Sequence, residues 1–335
     1  MMAGGTGGHI FPALAIADEL RERGIRVEWV GTAIGLEARV VPAAGIVLHL
    51  LAVRGVRGKN PLRKLLAMMS LAVAALQALW LVFRLSPNCV VGLGGYVAGP
   101  AGVAAWLLRK PLIIQEQNAV AGTSNRMLAP LATKVFTGFP NAFSDDVVTE
   151  TVAADSSYSF SGQRPLQLLI IGGSLGAKPI NDVMPETVLK LTEKGLATQL
   201  KVTNAYAHAE NSQVTVSPFI EDMAEAYGWA DIVLCRAGAL TVSELAIMGR
   251  PSILVPLPQA IDDHQTHNAR SLEQVGAALL IKQSEMTATT LAELLQSFVS
   301  KPEQLREMAR AAAAAAKPDA TQLVCDSCEV LIHGR

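Results

Sequence analysis

The sequence predicts two α/β domains, each built on a doubly wound parallel β-sheet with helices on both faces. Short apolar runs alternate with helical segments, which is the pattern of parallel strands joined by crossover helices. The alternation gives way to a polar, irregular stretch over residues 141–165 and then begins again. We interpret this stretch as a linker. We expect a first domain over residues 1–150 and a second over 160–318, with the C-terminal helical segment 319–335 joining the first.

The predicted strands are short and apolar, as expected where a parallel sheet is buried on both faces. Helices are predicted between them, for example over residues 11–24, and a last helix over 319–331. No apolar run precedes the first glycine loop, which begins at Gly4. The strands are predicted at residues 26–31, 46–53, 89–94, 111–117, 132–139, 166–171, 230–235, 251–258 and 277–282.

The composition narrows the class of protein. Of the 335 residues, 50% are hydrophobic and 17% charged, so the chain can fill large cores and is not disordered. The net charge of −1 argues against nucleic acid as a partner. Of the four cysteines, Cys325 and Cys328 form a single C-x-x-C pair without the second pair of a zinc site. With no signal peptide visible, we expect a reduced cytosolic protein.

Three glycine-rich loops suit the binding of an anion for the same physical reason. They are GGTGGH (4–9), GGYVAGP (94–100) and GGSLGA (172–177). Glycine allows the backbone to approach a ligand, and N–H groups at the start of the next helix attract an anion. Tight turns and close packing are the alternative reason for such glycines. Three loops of this kind favour ligands that carry a diphosphate. None has the spacing of an ATP-binding P-loop or of the NAD-binding G-x-G-x-x-G fingerprint.

His9 closes the first of these loops at the predicted start of a helix. The helix dipole favours the neutral imidazole at that position. A neutral imidazole beside a bound phosphate can act as a general base. A capping or purely structural histidine is the alternative interpretation.

Several motifs together resemble the MurG family, the bacterial glycosyltransferases that convert lipid I to lipid II in peptidoglycan synthesis. The resemblance extends along nearly the whole chain, and its most specific parts are EQNAVAGTSNR and CRAGALTVSEL. The motifs are GGTGGHIFPALA (4–15), RGVRGK (54–59), GLGGYVAGPAG (92–102), EQNAVAGTSNR (116–126), GGSLGA (172–177), CRAGALTVSEL (235–245) and DDHQTHNA (262–269).

The resemblance implies a GT-B fold, in which two Rossmann-like domains face a cleft. It implies an inverting transfer of GlcNAc from UDP-GlcNAc to the C4 hydroxyl of MurNAc in lipid I, the MurNAc-pentapeptide linked by a diphosphate to undecaprenol. The product is lipid II with a β-1,4 bond. No cofactor is implied, and no divalent metal is expected for donor binding, because the chain has no D-x-D pair and backbone N–H groups can hold the diphosphate.

The resemblance also implies roles for individual residues. The candidate catalytic residues are His9, Glu116 and Tyr96, with His9 or Glu116 as the base. The acceptor diphosphate is expected at Gly4, Gly5, Gly94 and Gly95, beside the side chains of Thr6, His9 and Tyr96. The donor-binding residues are expected to be Thr6, Gly7, Gly8, Asn118, Ser174, Ile220, Ala239, Leu240, Thr241, Val242, Ser243, Glu244, His264 and Gln265.

Some of these residues have plainer interpretations. Glu244 also suits the solvated first turn of a helix, and Ile220 by itself is typical of a core residue. Without the resemblance, the DDHQTHN cluster would be a weak candidate metal site. We expect instead that no metal is bound there, that Glu244 accepts both ribose hydroxyls, and that His264 and Gln265 contact GlcNAc.

The chain departs from the family pattern at several places. Many members have histidine where this chain has Gln115, and we expect glutamine to keep a hydrogen-bonding role. A family arginine is missing from residues 145–155, a polar H-Q-x-G segment from residues 200–210, and a strand before Gly4. Either the enzyme has lost these parts, or the natural protein is longer than this chain. The second interpretation is favoured, because a parallel sheet needs its first strand to support the first glycine loop.

Residues 65–83 form a nineteen-residue apolar segment flanked by basic residues. A spanning helix would place strands of one sheet on opposite sides of a membrane, so we expect a helix half buried in the domain and half lying on anionic lipid. A fully buried helix is the alternative. We therefore expect a peripheral protein on the cytoplasmic leaflet of the bacterial inner membrane, with other cell-wall synthesis enzymes as further partners. The expected membrane surface is Leu66, Trp80, Leu81, Arg63 and Lys64.

Two other functions compete with the lipid-linked transferase. A UDP-GlcNAc epimerase or hydrolase of the same architecture would need carboxylates at the donor's C2 and no lipid surface. A non-catalytic nucleotide-sugar-binding protein would fit Gln115 and the missing arginine. Turnover without acceptor, or binding without turnover, would distinguish these alternatives from the transferase.

Overall fold

The computed structural model describes residues 1–53, 61–139, 142–143, 158–172, 178–196, 198–203, 214–217, 220–258 and 263–334. Within these ranges the side chains of 61–69, 202–203, 214 and 216 are not described. The chain divides into two compact units. Unit 1 is Met1–Thr149 with Asp319–Arg335, and unit 2 is Glu150–Pro318.

Strands and helices alternate through both units. The strands are β1 (Met2–Ala3), β2 (Glu28–Gly31), β3 (Val47–Leu50), β4 (Val90–Gly94), β5 (Leu112–Glu116), β6 (Lys134–Thr137), β7 (Leu166–Ile171), β8 (Thr198–Thr203), β9 (Val214–Ser217), β10 (Ile232–Cys235), β11 (Ser252–Leu254) and β12 (Ala278–Leu280). The helices are α1 (Gly7–Glu22), α2 (Glu37–Ala43), α3 (Pro61–Leu85), α4 (Ala98–Leu107), α5 (Thr123–Leu128), α6 (Lys178–Glu193), α7 (Met223–Trp229), α8 (Ala239–Ile247), α9 (His264–Gln274), α10 (Ala288–Ser300), α11 (Pro302–Ala314) and α12 (Ala320–His333).

Unit 1 contains a six-stranded sheet in the order β3-β2-β1-β4-β5-β6. All neighbouring strands are parallel. The strand order reverses between β1 and β4, so the loops that follow these two strands open a crevice at the carboxyl edge of the sheet. This reversal places the first and second glycine loops next to each other.

The expectation that no strand precedes the first glycine loop is wrong. Met2 and Ala3 form β1, which lies between β2 and β4 at the centre of the sheet. Met2 pairs with Val30 of β2 and with Gly92 of β4. Trp29 is fully buried and donates its indole N–H to the Ala3 carbonyl over 2.9 Å. Two residues are enough here because both neighbouring strands hold them.

Both faces of this sheet are covered. One face packs on α1 and α12 in a cluster that includes Ile10, Trp29 and Val324. The other face packs on α3, α4 and α5, with Ala78 and Leu128 in that cluster. The C-terminal helix is tied to α1 by ion pairs in which Arg23 contacts Asp326 at 2.6 Å and Glu329 at 3.0 Å, and by the buried Cys325.

Unit 2 repeats this architecture with a parallel sheet in the order β12-β11-β10-β7-β8-β9. Its strand order reverses between β7 and β10. Strands β8 and β9 were not predicted, because their sequences TQLKVT and VTVS are too polar to give a buried-strand pattern. The two doubly wound sheets confirm the predicted α/β fold class.

Candidate functional site

The first two glycine loops touch at the reversal point of unit 1. Gly95 has a φ of +86°, and a Cβ on it would lie 2.2 Å from the Gly4 carbonyl oxygen. This position therefore requires glycine for two reasons: its backbone is left-handed, and it packs closely on another backbone segment. Ser124 donates its hydroxyl to the Gly95 carbonyl over 3.0 Å, which ties in the loop after β5.

The start of α1 presents backbone N–H groups at this crevice. The helix begins at Gly7, and the first N–H groups of a helix have no partner within it. Thr6 is the exposed N-cap residue, and its hydroxyl does not cap the helix. The N–H groups of Gly7 and Gly8 and the Thr6 hydroxyl are therefore placed to bind an anion.

Gly5 differs from its neighbours, because its N–H already donates to the Oε2 atom of Glu37 over 3.1 Å. Glu37 is fully buried, and its Oε1 atom accepts from the Thr32 N–H at 3.1 Å and the Thr32 hydroxyl at 2.7 Å. The expectation that the Gly5 N–H binds the acceptor diphosphate is therefore not supported. Nothing in the sequence around Glu37 indicated that it reaches the glycine loop.

His9 lies within α1, half-buried, with its ring against Gly94. A Cβ on Gly94, whose φ is +114°, would lie 3.0 Å from the imidazole Cε1. His9 Nδ1 lies 3.0 Å from Gln117 Oε1. Tyr96 is 46% exposed on the second loop. The structure thus brings His9, Tyr96 and the two glycine loops to one crevice.

Glu116 occupies a different environment from that of a general base. Its side chain is fully buried. Oε1 accepts from the backbone N–H and the Nδ2 of Asn118, both at 2.9 Å, and Oε2 accepts from the Gly122 N–H at 3.0 Å and Asn125 Nδ2 at 2.8 Å. Four donors saturate the carboxylate, so the prediction of Glu116 as a base is not supported. Its contacts instead organise the loop between β5 and α5, including Asn118.

In unit 2, α8 begins at the reversal point, directly after β10. Gly238 is the N-cap, and the N–H groups of Ala239, Leu240 and Thr241 open the helix. The expectation that Val242 binds the donor is not supported, because its side chain is buried and its N–H donates to the Gly238 carbonyl over 2.9 Å.

Glu244 is held by a buried tyrosine on the neighbouring α7. The Tyr227 hydroxyl donates to Glu244 Oε2 over 2.8 Å. Burial first, and then the Glu244 charge, raise the pKa of Tyr227 well above its usual range, so the hydroxyl stays protonated and donates. This hydrogen bond fixes one of the two carboxylate oxygens of Glu244. Ser243 is exposed one residue earlier.

The remaining residues expected to bind the donor lie at the start of α9 and before α7. Gln265, in α9, accepts from the Leu257 N–H through Oε1 over 2.9 Å, so Nε2 is the end of its amide that can donate. His264 opens α9, and Ile220 is half-buried before α7. Ser174 lies outside the described residues. No group of three or more His, Cys, Asp or Glu side chains suited to a metal ion occurs in the described ranges.

Arg236 is a buried cation that the sequence reasoning did not single out, although it stands inside the CRAGALTVSEL motif. It donates to the Val255 and Pro256 carbonyls at 3.1 and 3.3 Å and to Gln283 Oε1 at 2.7 Å. All of these acceptors are neutral, and burial lowers the pKa of the guanidinium. No carboxylate pairs with Arg236 within the described part of the chain. It places positive charge beside the residues that follow β11 and β12.

Helix α3 exposes one apolar face. Leu76 is 69% exposed, Trp80 58% and Phe83 72%, whereas Leu81 is 7% exposed and packs on the sheet. The prediction that Leu81 belongs to the membrane surface is therefore wrong, because its side chain points to the opposite side of the helix from Phe83. The side chains of Leu66, Arg63 and Lys64 lie outside the described residues. In the part of the chain that the structure describes, no helix is long and apolar enough to cross a membrane.

Comparison with known proteins identifies the class of both units. Residues 1–137 match the glycosyltransferase family 28 N-terminal domain, and residues 167–324 match the glycosyltransferase family 28 C-terminal domain. Solved glycosyltransferases share this fold at low sequence identity. The crystal structure of the kitacinnamycin glycosyltransferase has a TM-score of 0.70 at 17% identity, and the match covers 99% of this chain and 98% of that chain. The chain is a family 28 glycosyltransferase with the predicted GT-B fold.

More similar relatives narrow the identification. The UDP-N-acetylglucosamine–N-acetylmuramyl-(pentapeptide) pyrophosphoryl-undecaprenol N-acetylglucosamine transferase of Pseudomonas putida strain F1 is 48% identical over 350 residues, covering 100% of this chain and 98% of its own. Its counterpart from Pseudomonas fluorescens strain SBW25 is 49% identical over 352 residues, with the same coverage. A crystal structure of Acinetobacter baumannii MurG has a TM-score of 0.84 at 42% identity, covering 98% of each chain. The chain belongs to the MurG family, which confirms the resemblance.

Proposed function

We propose that this chain carries out the MurG reaction with His9 as the general base and with the two reversal-point crevices as its acceptor and donor sites. The reaction moves GlcNAc from UDP-GlcNAc to lipid I and forms lipid II. The observation that carries the residue assignment is the half-buried His9 imidazole, held 3.0 Å from Gln117 beside the two touching glycine loops.

The acceptor is assigned to unit 1. Its diphosphate fits the start of α1, where Gly7 and Gly8 present N–H groups at the positive end of the helix dipole. Thr6 and Tyr96 are exposed residues, and their hydroxyls can add two further hydrogen bonds. His9 lies in the first turns of the same helix, so a sugar attached to that diphosphate has its hydroxyls near the imidazole.

The donor is assigned to unit 2. The N–H groups of Ala239, Leu240 and Thr241 face the carboxyl edge of the sheet and suit the UDP diphosphate. Arg236 adds positive charge that no described carboxylate neutralises. Glu244, oriented by Tyr227, is suited to accept the ribose hydroxyls, and Gln265 Nε2 is suited to donate to GlcNAc.

The chemistry is a direct displacement. His9 takes the proton from the C4 hydroxyl of MurNAc as that oxygen forms a bond to the anomeric carbon of GlcNAc. The bond from that carbon to the UDP oxygen breaks, and UDP leaves with the electron pair. Attack from the face opposite UDP inverts the configuration and gives the β-1,4 bond. General base catalysis supplies about 10²–10⁴-fold, and positioning of the two substrates supplies much of the remainder.

The exposed face of α3 is assigned to the cytoplasmic leaflet that holds the lipid-linked acceptor. Leu76, Trp80 and Phe83 form an apolar surface, and the Arg84 guanidinium lies 5.1 Å from the centre of the Trp80 ring. Aromatic side chains and nearby arginines are typical of helices that lie in a membrane interface. Trp80→Glu should weaken sedimentation with anionic vesicles, and Val330→Glu, on an exposed part of α12, should not.

The test of the proposed function is release of UDP from UDP-GlcNAc in the presence of a short-chain lipid I analogue. We expect acceptor-dependent release, with kcat of His9→Ala lower by about 10²–10⁴-fold at similar donor affinity. Turnover of UDP-GlcNAc without acceptor would instead identify an epimerase or hydrolase. Tight donor binding without any turnover would identify a non-catalytic binding protein. Unchanged kcat in His9→Ala would remove His9 as the base.

A further inference from the structure

Within the described residues, Gln117 is the hydrogen-bond partner of His9 Nδ1. The contacts of its amide nitrogen with Gln115 fix the orientation of the Gln117 amide. Gln117 is 5% exposed, in the loop that follows β5. Its amide nitrogen lies 3.2 Å from the backbone carbonyl of Gln115 and also contacts the Gln115 side-chain oxygen. A carbonyl oxygen only accepts hydrogen bonds, so the group facing it must be the NH₂ end of Gln117. The oxygen end of the amide therefore faces His9.

This orientation determines which nitrogen of His9 carries the proton. The atom 3.0 Å from His9 Nδ1 is the amide oxygen of Gln117, which has no proton to donate. Nδ1 must therefore be the donor, and neutral His9 has its lone pair on Nε2. The same Nδ1–H bond persists when Nε2 gains a proton, so the imidazole does not need to reorient during proton transfer.

The ring is also constrained from its flank. Gly94 packs so closely that a Cβ would lie 3.0 to 3.4 Å from three of the imidazole atoms. With one side against Gly94 and Nδ1 bound to Gln117, the Nε2 atom is the part of the ring left for a substrate. Within the described residues, no side chain or carbonyl is bonded to Nε2.

We propose that Gln117 is a positioning residue that holds neutral His9 in the Nδ1–H tautomer and so makes Nε2 the proton-accepting atom. Gln115 supports this arrangement by accepting from the Gln117 amide. The inference rests on the proposed role of His9 in GlcNAc transfer. An amide suits the task because it orients the ring without the negative charge that would stabilise the imidazolium ion before the acceptor is bound.

The tautomer can be read directly by NMR of the full chain labelled with ¹⁵N-histidine, with His9→Gln identifying the His9 signals. We expect Nδ1 to be protonated in the parent protein. Gln117→Met removes the acceptor at nearly constant side-chain volume, and we expect a mixture of both tautomers. Gln117→Glu loses the hydrogen bonds to Gln115 but keeps an acceptor for Nδ1, so it should keep the Nδ1–H form. Gln322→Met, the same change at an exposed position on α12, serves as the control and should match the parent.

Kinetics provide the second readout. We expect Gln117→Met to lower kcat about tenfold, less than the 10²–10⁴-fold of His9→Ala, with KM for both substrates changed less than twofold. In Gln117→Glu the acid limb of the rate–pH profile should move to higher pH by about one unit, because a carboxylate favours the imidazolium. If Gln117→Met fails to fold, Gln115→Met tests the same chain of contacts and should give a smaller loss.

The outcomes separate this inference from the proposed function. An Nε2–H tautomer in the parent, or a Gln117→Met protein with unchanged tautomer and kcat, would overturn the role of Gln117 even if GlcNAc transfer is robust. An Nδ1–H tautomer in a protein that transfers no GlcNAc would overturn the proposed function and leave the tautomer assignment intact.

Discussion

Substitution of Glu116 by glutamine tests whether the carboxylate is a base or a structural anchor. Glutamine has nearly the same shape, so the change does not create a cavity. It replaces one carboxylate oxygen by an NH₂ group and removes the charge. Glu116 is fully buried, and each of its oxygens accepts from two donors.

The magnitude follows from these four contacts. Whichever way the new amide is oriented, its NH₂ end faces two donors and can accept from neither; the Asn125 donor is buried and the other three are partly buried. A buried donor without an acceptor costs about 1–3 kcal/mol, so the two together cost at most about 2–6 kcal/mol. The total free energy of unfolding of a domain is typically about 5–15 kcal/mol. We therefore expect Glu116→Gln to destabilise unit 1 severely.

Urea unfolding followed by tryptophan fluorescence measures this loss. In a Trp229→Phe background the three remaining tryptophans, Trp29, Trp80 and Trp106, all lie in unit 1, so the signal reports that unit alone. We expect the unfolding midpoint of Glu116→Gln to fall clearly below that of the parent. Glu22→Gln makes the same chemical change at an exposed glutamate of α1 and should leave the midpoint unchanged.

One result would refute this reasoning. If Glu116→Gln unfolds at the same urea concentration as the parent and yet loses more than about 10²-fold in kcat, the carboxylate acts on the substrate as a base. A loss of stability with residual activity proportional to the folded fraction would instead confirm an anchoring role.

Three further predictions concern other parts of the molecule. Gly95→Ala should lower the melting temperature sharply, since its Cβ would lie 2.2 Å from a backbone oxygen, whereas Gly99→Ala meets nothing within 4 Å and should be tolerated; equal melting temperatures would contradict this. Tyr227→Phe should raise the Kd for UDP about tenfold by calorimetry, because Glu244 loses the 2.8 Å hydrogen bond that orients it. Burial raises the pKa of Cys325 to about 11, so iodoacetamide at pH 8 should label it only in urea, and labelling of the folded protein by mass spectrometry would contradict the structure.

The parallel sheets were predictable because most of their strands are apolar runs bounded by glycine or proline. The exceptions have physical causes. Strand β1 is two residues long, which is too short to carry any periodicity, and its position depends on β2 and β4. Strand β8, TQLKVT, has only two apolar residues and so lacks the continuous apolar run expected of a parallel strand buried on both faces.

The candidate site was predictable where it depends on backbone and not where it depends on distant side chains. The two glycine loops of unit 1 follow β1 and β4, and the reversal of strand order brings them together. By contrast, His9 and Gln117 are 108 positions apart, and Gly5 and Glu37 are 32 apart. No local pattern reports such a contact, so the roles of Gln117 and Glu37 emerge only from the folded chain.

Two buried carboxylates, Glu37 and Glu116, hold loops of the candidate site in the part of unit 1 that the structure describes. Glu37 accepts from the Gly5 N–H, and Glu116 accepts from the Gly122 N–H. These contacts fix the loops before any ligand arrives, which lowers the ordering cost of binding. They also remove those N–H groups from the set available to a ligand. In the proposed assignment the start of α1 binds the acceptor diphosphate. Because the same helix carries His9, the groups that bind the acceptor and the proposed base belong to one rigid element.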